Sequence, residues 1–323
     1  MFGKPADQIR LFFSSDIHGS ERCFRKWINA AKSYKAQALV FGGDLAGKIL
    51  QPVVDIGAGR YETNTYGDLS VADGPTELKA MVDRIRTAGR YEIIVTREEK
   101  AALDTSPELV HEKFVEAARA SATRWLELAD ERLREAGIPA FMMLGNDDFP
   151  EIADVFNQSE MVTNPEDRVV ELPGGYEMIS LGYSNPTPWS SPRELSEDEL
   201  APRLQAMASR LADPGKSIFN FHVPPVGTHL DQAALLDADF TPITRGGHVQ
   251  VGSVGSSAVR DLIEHYQPML SLHGHIHESP GMSRIGPTIA INPGSDYADG
   301  ILRGAIVTID RKKGVRGWQL IQG

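Results

Sequence analysis

Five short apolar runs each stop at a residue type that binds metals, and this constrains the fold more than any other feature. Ile9 to Ser14 runs into Asp16-Ile17-His18, Ala38 to Phe41 into Gly42-Gly43-Asp44, and Ala140 to Leu144 into Gly145-Asn146-Asp147. Ser217 to Phe221 ends at His222, and Pro268 to Leu272 leads to Gly274-His275-Ile276-His277. Runs of four to six apolar residues bounded by glycine or polar turns read as buried strands. Strands of a parallel or mixed sheet would then carry all these side chains to one edge, as α/β enzymes do when they build a site.

The segments between the runs supply the helices. Glu21 to Ala36 carries helical spacing through Phe24, Trp27, Ile28 and Ala31. The clearest helix is Pro107 to Ala136, with Ser106 as N-cap, Pro107 in the first turn and Gly137 just past the end. Thirty residues would span ~45 Å, and Phe114, Ala118, Trp125, Leu128 and Leu133 form a stripe suited to packing on a sheet. About a hundred residues separate Asp44 from the next ligand-bearing run, more than one crossover needs, so an insertion is expected at about 50–137. It should contain a hairpin over Ile49 to Tyr66, a helix over Glu77 to Thr87 and a strand over Tyr91 to Thr96. Later, Val169 to Leu172 and Glu177 to Leu181 flank a Pro173-Gly174-Gly175 turn. Thr288 to Ile291, Gly304 to Ile309 and Trp318 to Ile321 form a strand-rich tail.

Composition narrows the chemistry. Cys23 is the only cysteine, which excludes an intrachain disulfide and a thiolate cluster and leaves oxygen and imidazole ligands. With 33 Lys plus Arg against 44 Asp plus Glu, the net charge of -11 argues against nucleic acid as partner. Bound cations would reverse the field locally and still admit a small anionic substrate. Met1 to Arg10 lacks an apolar stretch of signal-peptide length and no long apolar run follows, so a soluble cytoplasmic protein without a membrane segment is expected. A mean hydropathy of -0.25 agrees.

In order along the chain, the segments Asp-x-His, Gly-Asp, Gly-Asn, a lone His and Gly-His-x-His resemble the signature of the calcineurin-like metallophosphoesterases. That resemblance implies an α/β fold, an αββα sandwich of two mixed β-sheets flanked by helices. Residues 1–323 would form a single domain carrying the 50–137 insertion. It also implies two divalent or trivalent ions drawn from Mn, Fe, Zn or Ni. By the family pattern Asp16, His18 and His277 hold the first, Asn146, His222 and His275 hold the second, and Asp44 bridges them. A hydroxide between the metals would attack phosphorus in line, giving a phosphoester hydrolase, and a phosphodiesterase on a small or nucleotide-like substrate first of all. A nucleotidase-like phosphomonoesterase and a non-catalytic metal-binding scaffold for protein interactions are the alternatives, and a homo-oligomer is left open.

One position departs from the signature. Where the family usually has His after Gly-Asn, this chain has Asp147, with Asp148 in the usual acidic place. An ionised Asp is a poor general acid near neutral pH, so Asp147, Asp148 and His229 are all carried as proton-transfer or substrate candidates. His273 reads first as the inward end of its strand, with a third imidazole near the metals as the alternative. Asn292-Pro293-Gly294-Ser295 resembles a late turn of the family that finishes the site-facing edge. The glycine-rich stretch Arg245 to Ser257 precedes a helix and reads first as a flexible surface loop; the alternative is that the helix amides hold a phosphate, with Arg245 as a candidate anion contact.

Overall fold

A computed structural model describes residues 8–323; the first seven positions, part of the Met1 to Arg10 reading above, lie outside the described residues. The chain begins with β1 (Gln8–Ser14), α1 (Glu21–Ser33) and β2 (Ala38–Phe41). It continues through β3 (Ile49–Gly57), β4 (Arg60–Thr65), β5 (Asp68–Asp73), α2 (Gly74–Thr87), β6 (Arg90–Val95), α3 (Arg97–Thr105) and α4 (Pro107–Ala136). Next come β7 (Ala140–Met142), β8 (Val162–Thr163), β9 (Val169–Leu172), β10 (Tyr176–Leu181), α5 (Glu197–Ala208) and β11 (Ile218–Phe221). Two short hairpin pairings follow, made by β12 (Gln232–Ala234), β13 (Thr244–Arg245), β14 (His248–Val249) and β15 (Val251–Ser253). The chain closes with α6 (Ser257–Tyr266), β16 (Leu270–Leu272), β17 (Gly281–Ile285), β18 (Thr288–Asn292), β19 (Arg303–Asp310) and β20 (Gly314–Gln322).

Two six-stranded mixed sheets carry the molecule, with orders β20-β19-β1-β2-β7-β8 and β17-β18-β16-β11-β10-β9. In the first, β1, β2, β7 and β8 run parallel; in the second, β10, β11, β16 and β18 do. Alternate residues of a strand face opposite sides of its sheet, and the core follows this rule. Ile9, Leu11 and Phe13 of β1 pack with Met178, Ile218, Leu270 and Ile291 of the other sheet, forming the layer between them. Phe12 of the same strand points the other way, among Leu39, Phe41, Trp27 of α1 and Trp125 of α4. Phe219 and Phe221 of β11 face outward too, against Leu204 of α5 and Ile263 of α6. The architecture is the expected αββα sandwich, with ligands delivered by two sheets whose edges meet rather than by one.

The long helix has the ends its sequence specifies. Ser106 Oγ accepts from the Leu109 amide, Pro107 occupies the first turn, and Gly137 is left-handed with φ 64°. Its Trp125 ring stacks on Phe24 of α1 at 4.4 Å between centroids, and the indole N–H donates to Glu21. The helix therefore packs on α1 as well as on the outer face of the first sheet.

Between β2 and β7 in sequence stands a separate four-stranded sheet, β5-β4-β3-β6. Neighbouring residues of β3 serve its two faces: Val53 packs with Met81 and Ile85 of α2, and Val54 with Leu103 of α3. Gly57-Ala58-Gly59 makes the hairpin turn between β3 and β4 as expected, whereas β5 and α3 are additional elements.

Candidate metal centre

The five ligand-bearing loops leave the carboxyl ends of β1, β2, β7, β11 and β16, three from one sheet and two from the other. Close backbone packing brings them together. A Cβ on Gly145 would lie 2.1 Å from Asp44 Oδ1, and one on Gly43 would lie 2.7 Å from His222 Nδ1. Only glycine lets these loops touch. Asp16, His18, Asp44 and His275 all hold positive φ, between 38° and 68°. That left-handed conformation is tolerated by Asp and His better than by most residues, but it costs free energy, and such residues gather where function demands a fixed geometry.

All seven candidate ligands converge. His18 Nε2 and His277 Nε2 lie 3.0 Å apart, and His277 Nε2 is 3.5 Å from Asp16 Oδ1. His222 Nε2 stands 3.4 Å from Asp44 Oδ2 and 3.9 Å from Asp16 Oδ1, while His18 Nε2 is 3.6 Å from Asp44 Oδ2. His275 Nδ1 meets Asn146 Oδ1 at 2.8 Å. Side-chain atoms of Asp16, His18 and His277, of Asp16, Asp44 and His222, and of His18, Asp44 and Asp147 each form a group able to hold a cation.

The donor atoms fit cations. His222 Nδ1 lies 2.8 Å from the Gly42 carbonyl, which can only accept, so Nδ1 carries the proton. In the neutral ring the lone pair on Nε2 then points at two carboxylates and has no hydrogen-bond partner. Lone pair against carboxylate is repulsive unless a proton or a metal ion stands between them. Burial opposes charging His222, yet Asp44 and Asp16 outweigh it and push its pKa up to about 9, a measure of how strongly the pocket calls for positive charge. Burial would raise Asp16 as well, but the hydrogen bond to His277 and the charge of His222 hold it at about 2. Burial keeps His275 neutral, with its pKa down to about 3, the protonation state a metal ligand needs.

The surrounding residues hold this arrangement. The His275 amide donates to both Asp16 oxygens, at 3.0 and 3.1 Å. Ser295 Oγ donates to the Asp16 carbonyl at 2.6 Å and Asn292 Nδ2 to the Ile276 carbonyl at 2.8 Å, so the Asn292 to Ser295 turn does brace the site-facing edge. Buried Arg193 donates to the Gly145 carbonyl at 2.9 Å and pairs with Glu166, fixing the Asn146 loop from behind. Tyr297 lies beside both His18 and His277, with ring centroids 4.7 and 5.9 Å away. Neither Arg193 nor Tyr297 belongs to a ligand motif, and nothing in their local sequence marks them.

Several expectations need correction. Asp148 is wholly buried, and its oxygens accept from the Leu45, Ala46 and Gly145 amides at 2.9, 2.7 and 2.7 Å. Burial and the Asp44 charge raise its pKa to about 7, but it has no path to a substrate and acts as a clamp between two loops. His229 is exposed and meets Ser283 Oγ of β17 at 3.0 Å; none of its described contacts is with a candidate ligand. The N-terminus of α6 already holds an anion of its own: Glu197 of α5 accepts from Ser256 Oγ and from the Ser257 and Ala258 amides. A phosphate would have to displace that carboxylate. Arg245 is exposed in the β13–β14 hairpin. His273 is the inward strand end expected, bonded to Ser271 Oγ and to the Phe221 and Val223 carbonyls.

Asp147 has unexpected company. Its carboxylate forms an ion pair with Lys48 and accepts from Ser191 Oγ at 2.5 Å, while its amide donates to Asp44 Oδ1 at 3.0 Å. Lys48, four residues past Asp44, is half exposed, so a fixed cation stands at the mouth of the ligand cluster.

A crystal structure superposes on this chain at a TM-score of 0.55, covering 98% of this chain and 99% of the other, with 15% identity. Another, of TT1561 from Thermus thermophilus, gives 0.51 over 98% of both chains, again with 15% identity. The chain shares its overall fold, two six-stranded mixed sheets flanked by helices, with these two structures. Identities this low speak for the fold alone. No protein-family model matches the chain. Over 152 residues, 46% of its length, it is 32% identical to the uncharacterized protein MJ1162 of Methanocaldococcus jannaschii, and it spans 61% of that relative. No helix of the described residues is long and apolar enough to cross a membrane.

Proposed function

We propose that the chain is a metal-dependent phosphoester hydrolase acting on small phosphodiesters, with residues 1–323 as one domain and the segment at about 50–137 as an insertion that shapes access to the site. The observation that supports this reading is His222 Nε2, buried without a hydrogen-bond partner and facing the Asp44 and Asp16 carboxylates at 3.4 and 3.9 Å, a place that calls for a positive charge, whether a proton or a metal ion. Asp16, His18 and His277 would hold one ion, Asn146, His222 and His275 the other, and Asp44 both. When bound, two such ions neutralise phosphoryl oxygens and lower the pKa of a water toward ~7.

The remaining work falls to the chain itself. Gly42 fixes the His222 tautomer through Nδ1, and the His275 amide orients Asp16. Lys48 supplies positive charge at the rim, where it can donate to a phosphoryl oxygen or a leaving oxygen while keeping Asp147, since an ammonium has three donors. Asp147 serves as an acceptor for Lys48 and Ser191, which makes it an orienting group for the lysine rather than a proton donor.

The test is metal analysis of purified protein followed by assays of the Mn-loaded form on aryl phosphodiesters and aryl monoesters. Turnover of a diester that chelation abolishes and Mn restores is expected. Absence of hydrolysis on both substrates, together with undiminished metal binding by Asp44→Ala, would overturn the reading.

A further inference from the structure

Both ligand loops on the β2 and β7 side run on into the wall of a second feature. A cavity of about 500 Å³ has Lys48, Ile49, Leu50, Leu103, Val110 and Phe149 among its lining residues. This lies within the ~300–1,000 Å³ usual for small-molecule sites. Lys48 stands four residues after Asp44, and Phe149 three after Asn146. At ~3.6 Å of extended chain per residue, the cavity opens within ~14 Å of Asp44. Lys48 belongs to both places, since it lines the cavity and pairs with Asp147 at the ligand cluster.

The walls are chemically distinct from the cluster. Ile49 and Leu50 come from β3, Leu103 from α3, and Val110 from α4, so α3, α4 and the four-stranded sheet close around apolar surface. One end is aromatic: Phe149 lies 5.2 Å from Phe114 and 5.3 Å from the His111 ring, centroid to centroid. These rings are in contact with one another, and the faces and edges they turn to the cavity can take a further flat group in offset or edge-to-face packing. The candidate metal ligands lie on one side of Lys48, whereas the cavity lining is mostly aliphatic and aromatic, and its one carboxylate, Asp104, is paired with Lys100.

We propose that this cavity binds the organic part of the substrate, and that the substrate class is a phosphoester carrying a flat apolar group next to phosphorus. This rests on the phosphoester reading of the metal centre. Lys48 marks the boundary: the phosphoryl group lies on its cluster side, and the apolar group lies between Leu103, Val110 and Phe149.

The test compares the binding of 1-naphthylphosphonate and methylphosphonate to the Mn-loaded protein by calorimetry; the two share one anionic head. Burial of the naphthyl ring should make the first bind at least about tenfold tighter. In Val110→Glu, at a partly exposed position that tolerates charge, the ratio should fall toward one, and Phe149→Leu, which keeps apolar volume without the ring, should reduce it in part. Equal binding of the two phosphonates to wild type, or an unchanged ratio in both variants, would overturn the proposal. Turnover is read separately on naphthyl and methyl phosphodiesters. A naphthyl preference without turnover supports the cavity and sinks the hydrolase reading, whereas turnover without a preference does the reverse.

Discussion

Asp148 accepts a hydrogen bond from the Ala46 amide at 2.7 Å, joining loops that are 102 residues apart in sequence. The same carboxylate takes the Leu45 and Gly145 amides, so it fixes where Asp44 and Asn146 stand relative to each other. Asp148→Ala leaves three buried donors unpaired and should cost roughly 3 kcal/mol. Urea unfolding checks the stability, and metal analysis should show lowered occupancy in the same variant.

Gly145→Ala should be among the most damaging single-methyl changes in the chain. The new Cβ would sit 2.1 Å from Asp44 Oδ1 and 2.2 Å from the Asp44 nitrogen, where backbone cannot easily yield. Overpacking of this kind costs about 1–3 kcal/mol or more. A lowered melting temperature together with weaker Mn binding is expected. A melting temperature equal to that of wild type would mean the loops separate more readily than their packing implies.

Asp44 faces His18 and His222 at 3.6 and 3.4 Å, so its removal should weaken metal binding at both proposed positions together. Asp44→Ala is expected to lower Mn stoichiometry well below that of wild type. Loss of one ion with full retention of the other would disprove the sharing of Asp44.

Asp147→His should release Lys48 from its ion pair and place an imidazole at the rim. General-acid help is worth about 10²–10⁴ in rate and matters most for poor leaving groups. Alkyl diesters should therefore gain more than nitrophenyl diesters. Equal effects on both would show that a group other than residue 147 protonates the leaving oxygen.

Away from the site, Asp130 on α4 accepts from Ser159 Oγ at 2.5 Å and from the Glu160 and Met161 amides. Burial would raise its pKa, but these bonds outweigh that and hold it below the usual carboxylate value. A carboxylate lowered in the folded state stabilises above its unfolded pKa, and that stability is lost as pH falls through the folded one. Discounted for solvent screening, Asp130→Asn should cost about 1 kcal/mol at pH 7, converging with wild type once acid has protonated the folded-state carboxylate, below the usual carboxylate range. Urea midpoints across that range provide the measurement.

Residues whose signals are local were readable in the sequence. Ser106, Pro107 and Gly137 bound α4 because caps act within one turn, and the Gly-Asp and Gly-Asn pairs mark strand ends because close packing there admits no side chain. The seven side chains that the fold brings together were readable from the resemblance of their short motifs to a known signature. Partners brought in by tertiary packing were not. Lys48 meets Asp147 only because the loops after β2 and β7 abut, and Glu197 reaches α6 only because α5 packs on it. Helix α5 itself was hidden by Pro202, although Ser196 and Glu199 form a capping box at its start.

The left-handed backbone at Asp16, His18, Asp44 and His275 has a consequence for anyone wishing to transplant this centre. Each such residue carries about 1–3 kcal/mol of strain, which the two sheets and their braces absorb. Copying the seven side chains onto a relaxed scaffold would reproduce the inventory and lose the geometry. The loop conformations, and the glycines that let them touch, are the portable unit.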